Sequence, residues 1–261
     1  MGNFFLHKER ISNGFSKAVK EYDACATAQQ RISRKMIDLI KRYTVSDNFH
    51  NILEIGSGTG YYSNLLLNEF FPDMLVLNDI SQTVSECYGS FPPDKIRLLT
   101  GDAEQINFPV NQDLVTSCST FQWLERPADF IQKCFPLLSD SGYLAFSAFG
   151  MDNLKEIRAI TGNGLKYYTL QEWKQMTATE FEILYADEEF ITLSFPDALQ
   201  TLKHLKKTGV TAVSANRWTK KDLADFCKKY EENFSENGKV NLTYHAIYVI
   251  AKKKEKVSLA P

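Results

Sequence analysis

Gly56, Gly58 and Gly60 follow one another as G-x-G-x-G, with Glu54 two residues ahead and Ser57 inside the turn. Glycine has no Cβ, so such a segment can turn sharply and bring backbone N–H groups against a ligand. The spacing is not the G-x-G-x-x-G of dinucleotide-binding turns. N–H groups at a turn that opens a helix suit a carboxylate or another anion. Two acids stand in register with this turn. Asp79, followed by Ile80, lies 19 residues beyond Gly60. A carboxylate there can accept hydrogen bonds from a pair of ribose hydroxyls. Asp102, in Gly101-Asp102-Ala103-Glu104, can accept from an amino group while the Ala103 backbone meets a flat ring. The chemistry implied is the binding of a nucleoside-like molecule with an acidic end.

A fourth segment, Ser117-Cys118-Ser119-Thr120-Phe121-Gln122-Trp123, runs from small polar residues into an aromatic wall. The Gln122 amide and the Trp123 indole are candidate donors, and an aromatic face favours a neighbouring cation. The segment has no Asn-Pro-Pro-Tyr or Asp-Pro-Pro-Tyr run, which in other proteins grips an amino group. The four histidines are His7, His50, His204 and His245, and none falls at a strand end in the first half of the chain. Packing roles are expected for His204 and His245, a linker position for His50 and a mobile terminus for His7. A dedicated general base is therefore missing. A phenol or amine acceptor needs one, whereas a carboxylate, with a pKa of about 4, is already ionised at neutral pH. Such an acceptor needs alignment and removal from water.

These residues must be held by elements, and the pattern supplies them. Apolar runs at 52–55, 74–78, 96–100, 113–118 and 143–149 read as strands, separated by helical segments at 61–70, 82–88 and 128–137. The alternation predicts a parallel sheet covered on both faces. In such sheets ligands sit beyond the carboxyl ends of the strands, where all four segments fall. A helix is expected over 15–43, because Ile32, Met36, Leu39, Ile40 and Tyr43 share one face. Beyond Phe149 the rhythm breaks. Short helices are expected at 151–163 and 169–176, then an extended run at 181–195. Helices at 197–208 and 219–234 follow, the first stopped by Gly209 and the second capped by Thr219 and Asp222. A turn at 235–238 leads into a final strand at 240–252, and the Lys-rich tail beyond reads as a solvated, frayed end.

The chain carries 30 lysines and arginines against 32 acids, a formal net charge of −2, and 44% of its residues are apolar. A sizeable core is expected, and a protein built around nucleic-acid phosphates is not. Cys25, Cys87, Cys118, Cys134 and Cys227 are scattered and form no C-x-x-C pair, so neither a disulfide framework nor a zinc site is expected. With no signal sequence and no run of about 18 apolar residues, the expectation is a cytoplasmic protein that binds no membrane and no metal.

The Glu54–Gly60 segment resembles motif I of class I methyltransferases, which bind S-adenosylmethionine. The wider chain resembles the malonyl-acyl-carrier-protein O-methyltransferases of biotin synthesis. That likeness rests on Gly14-Phe-Ser-Lys-Ala-Val-Lys-Glu-Tyr22, Ala28-Gln29, Gln122-Trp123, Phe195-Pro-Asp-Ala-Leu199, Leu205-Lys-Lys-Thr-Gly209 and Leu242-Thr-Tyr-His245. It implies an α/β fold of the Rossmann-like, doubly wound class I methyltransferase type, with a final antiparallel strand, N-terminal helices and a helical cap insertion. It implies one methyltransferase domain over 1–261. Within it lie an N-terminal helical lid at 1–46, a cofactor-binding core at 47–150, a substrate and cap region at 151–239, the final strand at 240–252 and a tail at 253–261. Residues from 169 to 234 are expected to help cover the ligand.

By that likeness Glu54, Gly56, Ser57, Gly58 and Gly60 hold the amino-acid end of S-adenosylmethionine. Asp79 and Ile80 take the ribose, and Asp102 and Ala103 the adenine. Ser119 and Gln29 complete the cofactor set, and Tyr22, Gln122 and Trp123 face the substrate. The implied reaction moves a methyl group to the free carboxyl of a malonyl thioester on acyl carrier protein and leaves S-adenosylhomocysteine. The chain departs from the proteobacterial form at Cys118-Ser119, where Asn-Leu is usual, and at Glu54, where Asp is usual.

An acyl carrier protein is acidic, and Lys203, Lys206 and Lys207 share one helix face as a basic dock, with Arg217, Lys220 and Lys221 following. A monomer is expected. Methylation of a small free acid or another metabolite is the alternative reading. A non-catalytic S-adenosylmethionine-binding protein and a nicotinamide dehydrogenase are further rivals, the last disfavoured by the glycine spacing.

Overall fold

A computed structural model describes residues 8–45, 48–209 and 218–255. His7, Arg217 and the tail from 256 therefore lie outside the described residues.

The strands are β1 (Asn51–Ile55), β2 (Met74–Asp79), β3 (Ile96–Thr100), β4 (Gln112–Ser117), β5 (Leu138–Phe149), β6 (Phe181–Phe195), β7 (Ser235–Glu236) and β8 (Lys239–Lys253). They form one sheet in the order β3-β2-β1-β4-β5-β8-β6, with β7 paired to β8. The first five run parallel, and β8 inserts antiparallel between β5 and β6. Ile52, Leu53 and Ile55 of β1, like Leu114 and Val115 of β4, are buried because both sheet faces are covered. The strand order reverses between β1 and β4, which opens a crevice beyond their carboxyl ends.

The expected helix over 15–43 is two helices, α1 (Lys8–Cys25) and α2 (Thr27–Tyr43). Ala26, with φ −79° and ψ 45°, leaves helical geometry and turns the chain between them. No glycine or proline marks that break. On α2 the anticipated face is buried at Ile32, Met36, Leu39 and Ile40. It packs on one side of the sheet with Tyr62, Leu66 and Phe70 of α3 (Tyr61–Phe70). Phe130 and Ile131 of α4 (Pro127–Cys134) cover the other side with Trp173 of α6 (Leu170–Ala178).

After β5 come α5 (Lys155–Thr161), α6, β6, α7 (Ala198–Lys207) and α8 (Lys220–Phe234). The Thr219–Asp222 capping box forms as expected, and Thr169–Glu172 makes another on α6. Residues 82–88 tighten into a 3-10 turn instead of an α-helix. β5 starts five residues before the expected position 143, because Leu138 already pairs with Gln112, and the register then shifts across Ser139–Gly142 before Tyr143 meets Leu114. Residues 237 and 238, both at positive φ, make the hairpin turn between β7 and β8.

Candidate cofactor and substrate site

The carboxyl ends of β1 to β4 meet at one open cavity, which α1 and α2 close from above. The glycine turn is its floor. The Gly56 and Ser57 N–H groups donate to the Asn78 carbonyl at 2.8 and 2.9 Å, tying the turn to β2. Gly56 has φ +74°, and a Cβ there would meet the Thr120 side chain at 2.2 Å. Gly58 also has positive φ, yet a Cβ there would meet nothing within 4 Å. The space in front of Gly58 is thus open, whereas the space at Gly56 is filled by the protein. Tyr88 braces the turn from below: its hydroxyl lies 2.6 Å from Ser57 Oγ and donates to the Gly58 carbonyl at 2.9 Å.

Four acids line the cavity. Asp79 accepts from the Gly58 N–H at 2.9 Å and the Ser81 N–H at 2.8 Å. Burial raises its pKa, and those same N–H groups pull it back. Asp102 accepts from the Glu104 N–H at 3.0 Å and from Lys8 Nζ at 2.7 Å. Lys8 also bonds Glu104, which in turn accepts from the N–H groups of Glu125 and Arg126. Glu54 is 1% exposed, and burial pushes its pKa up to about 8 against the pull of Ser63. The fourth acid is Asp23 on α1, whose Oδ1 accepts from the Thr59 hydroxyl at 2.6 Å.

The helices reach the core through polar contacts. Ser16 and Ser81 share a hydrogen bond of 2.8 Å, and Ser33 Oγ lies 3.3 Å from Cys118 Sγ. Tyr22 and Gln29 line the cavity from α1 and α2. Burial raises the Tyr22 phenol above its ordinary pKa, so it stays a neutral donor and acceptor. Cys118, beside Ser33 and Ser147, is pushed up to about 11 by burial and stays a thiol.

Most anticipated residues come together here: Glu54, Gly56, Ser57, Gly58, Asp79 and Ile80, then Asp102, Ala103, Ser119 and Trp123, with Tyr22 and Gln29 above. Two do not reach the cavity. Gly60 begins α3 at φ +85°, and its Cα faces the Tyr88 ring. Gln122 is buried, and its amide donates to the Ser119 carbonyl at 2.5 Å. Ser119 holds φ +57°, and its N–H is fixed on Ser147 Oγ. Gln122 therefore holds a left-handed turn in place instead of offering its amide to a ligand. Among the described residues none after Leu124 lines the cavity, and part of the expected cover from 169–234, residues 210–217, lies outside the described residues.

Sequence reading missed Lys8, Asp23, Ser33 and Tyr88. Each acts across a long sequence separation, so no local spacing could reveal it. None of the described histidines lines the cavity. His50 pairs with Asp73, His245 contacts Glu188, and buried His204 meets the Tyr244 hydroxyl at 2.8 Å with its pKa lowered to about 4 by desolvation.

Residues 53–146 match the family model for a methyltransferase domain. A malonyl-acyl-carrier-protein O-methyltransferase of Bacteroides thetaiotaomicron is 42% identical to this chain, covering 96% of it and 100% of the relative. The chain belongs to the malonyl-acyl-carrier-protein O-methyltransferase family. In this family member the sheet is that of class I methyltransferases. The YcgJ protein of Bacillus subtilis shares the fold at a TM-score of 0.63 and 13% identity, covering 85% of this chain and 99% of that one. The N-methyltransferase NodS of Bradyrhizobium japonicum, solved with S-adenosylhomocysteine, does so at 0.52 and 13%, covering 85% and 87%.

The site fits the cofactor of a methyltransferase. Gly58 leaves room that a side chain would fill. Beside buried Glu54, three aspartates face one lining lysine among the described residues, which suits a ligand carrying positive charge.

Proposed function

We propose that this chain uses S-adenosylmethionine to methylate the free carboxyl of a malonyl thioester carried by acyl carrier protein. The observation that carries the reading is a cofactor cradle at the strand ends with no imidazole among its described lining residues. An ionised carboxylate is the acceptor that needs no base. The cofactor supplies an electrophilic methyl on a sulfonium: a carboxylate oxygen bonds to the methyl carbon as the S–C bond breaks, and S-adenosylhomocysteine leaves. No metal is needed for this step.

The chain's part is to bind, orient and exclude water. Gly56, Ser57 and Gly58 receive the amino-acid end, Asp79 with Ile80 the ribose, and Asp102 with Ala103 the adenine. Gly60 serves by opening α3. Tyr22, Gln29, Ser119 and Trp123 stand nearest the methyl and the acceptor. Gln122 serves through Ser119. The 1–46 segment acts as a lid, and 151–239 shapes the surface around the mouth.

Lys203, Lys206 and Lys207 are exposed on α7 and suit an acidic carrier. Lys207 stands 3.4 Å from Glu21, next to Tyr22, so the dock adjoins the cavity helix. The protein works as a monomer in the cytoplasm. Among the described residues no helix is long and apolar enough to cross a membrane.

The test is methyl transfer to malonyl carrier protein, malonyl-CoA and free malonate, with Asp79→Ala as control. Preference for the thioesters and a loss of about 100-fold in the control are expected, since two hydrogen bonds to a charged acceptor disappear. Equal rates on free malonate would favour the small-acid alternative.

A further inference from the structure

We infer that Asp23 is the counter-charge for the ammonium of the bound cofactor, delivered by α1 across the glycine turn. The inference rests on the cofactor reading above. Its starting point is which of the four lining acids is available. Asp102 is paired with Lys8, and Asp79 is engaged by two backbone N–H groups at the next strand end. Glu54 is 1% exposed, and burial lifts its pKa to about 8, which disfavours its charged form. Asp23 lies on the exposed rim of the cavity and has a neutral hydroxyl, Thr59, as its partner.

The position of that partner carries the argument further. Thr59 sits between Gly58 and Gly60, where α3 begins. A helix N-terminus attracts the carboxylate of an amino acid. In the cofactor, carboxylate and ammonium share one carbon, so a carboxylate received at this turn brings the ammonium beside it. An acid whose carboxylate already touches the turn is the natural acceptor for that ammonium. Lys8 is the one lysine or arginine among the described lining residues, and it is held at the Asp102 end, so it does not compete for Asp23.

Asp23 also belongs to the helix that roofs the cavity. A bond from ammonium to Asp23 would tie α1 to the cofactor directly, in addition to the Thr59, Ser81 and Asp102 contacts that already hold it. The chain would sense the whole cofactor, not only its nucleoside part, before the roof is set.

Calorimetry separates recognition from mere support of α1. Wild type and Asp23→Asn are titrated with S-adenosylhomocysteine and with 5′-methylthioadenosine, which lacks the amino-acid end. Asparagine keeps an oxygen for Thr59 but removes the charge. Affinity for S-adenosylhomocysteine should fall about tenfold, the loss of one charge-assisted contact at a partly exposed site, with 5′-methylthioadenosine unchanged. Equal weakening of both ligands, or weakening of neither, overturns the inference. Wild type failing to bind S-adenosylhomocysteine would instead remove the cofactor reading beneath it.

Discussion

Glu54 is a carboxyl group buried to 1% exposure in the wall of the cavity. With burial lifting its pKa from 4.5 to about 8, the folded protein keeps a proton that the unfolded chain releases. The sign follows directly. Its contribution to stability is fully present below pH 4.5 and is lost as pH rises to and through about 8. The ligand-free wild type should therefore lose thermal midpoint between pH 5 and 8, whereas Glu54→Gln should lose less. For a chain of this size each kcal/mol moves the midpoint by about 2–4 °C. Parallel curves for the two proteins in a differential scan would refute the assignment. Glu54, Asp79 and Asp102 were readable in the sequence because each sits at a strand end, where spacing along the chain maps onto position in space. Lys8 and Asp23 were not, because they act through contacts 94 and 36 residues away along the chain.

The turn that joins β1 to α3 was readable for a similar local reason, but its glycines differ in kind. Gly56 is required by the fold, since a methyl group there would enter Thr120. Nothing in the protein occupies the space in front of Gly58, so on the proposed cofactor reading that glycine serves the ligand. Gly56→Ala should thus lower stability severely. Gly58→Ala carries only the left-handed penalty of about 1–2 kcal/mol and should fold. Its affinity for S-adenosylhomocysteine should fall more than tenfold, because the new methyl stands where the ligand must lie. Thermal unfolding and calorimetry on both variants check this; tight binding by Gly58→Ala would mean that the ligand lies elsewhere. The elements on either side followed their patterns closely, since buried parallel strands are short apolar runs and capping boxes are local. The break at Ala26 and the early start of β5 left no such mark. The first needs no glycine or proline, and the second rests on a single Gln112–Leu138 pair set off from the rest of the strand by a register shift.

Across the molecule, the described roof comes from the first helices, and that arrangement sets how a carrier could approach. α7 packs against α1, and the Lys207–Glu21 ion pair joins them one residue from Tyr22. Lys203 and Lys206 remain exposed on the same helix, with Leu199 one further turn back on that face and 41% exposed. A face with two lysines and one leucine complements an acidic helix with an apolar spot. No pattern in one segment could reveal this, because it depends on β8 inserting between β5 and β6 and bringing the chain after β6 round to α1. Lys203→Glu with Lys206→Glu should lower kcat/KM for malonyl carrier protein at least tenfold at low salt. The gap should narrow as salt rises, since screening shortens electrostatic reach to about 10 Å near 0.1 M. Malonyl-CoA, which lacks the carrier's acidic surface, should react equally well with both proteins, which separates docking from damage to the cavity. Lys207 is left in place so that its bond to Glu21 survives. An unchanged rate on the carrier protein at low salt would remove α7 from the docking surface.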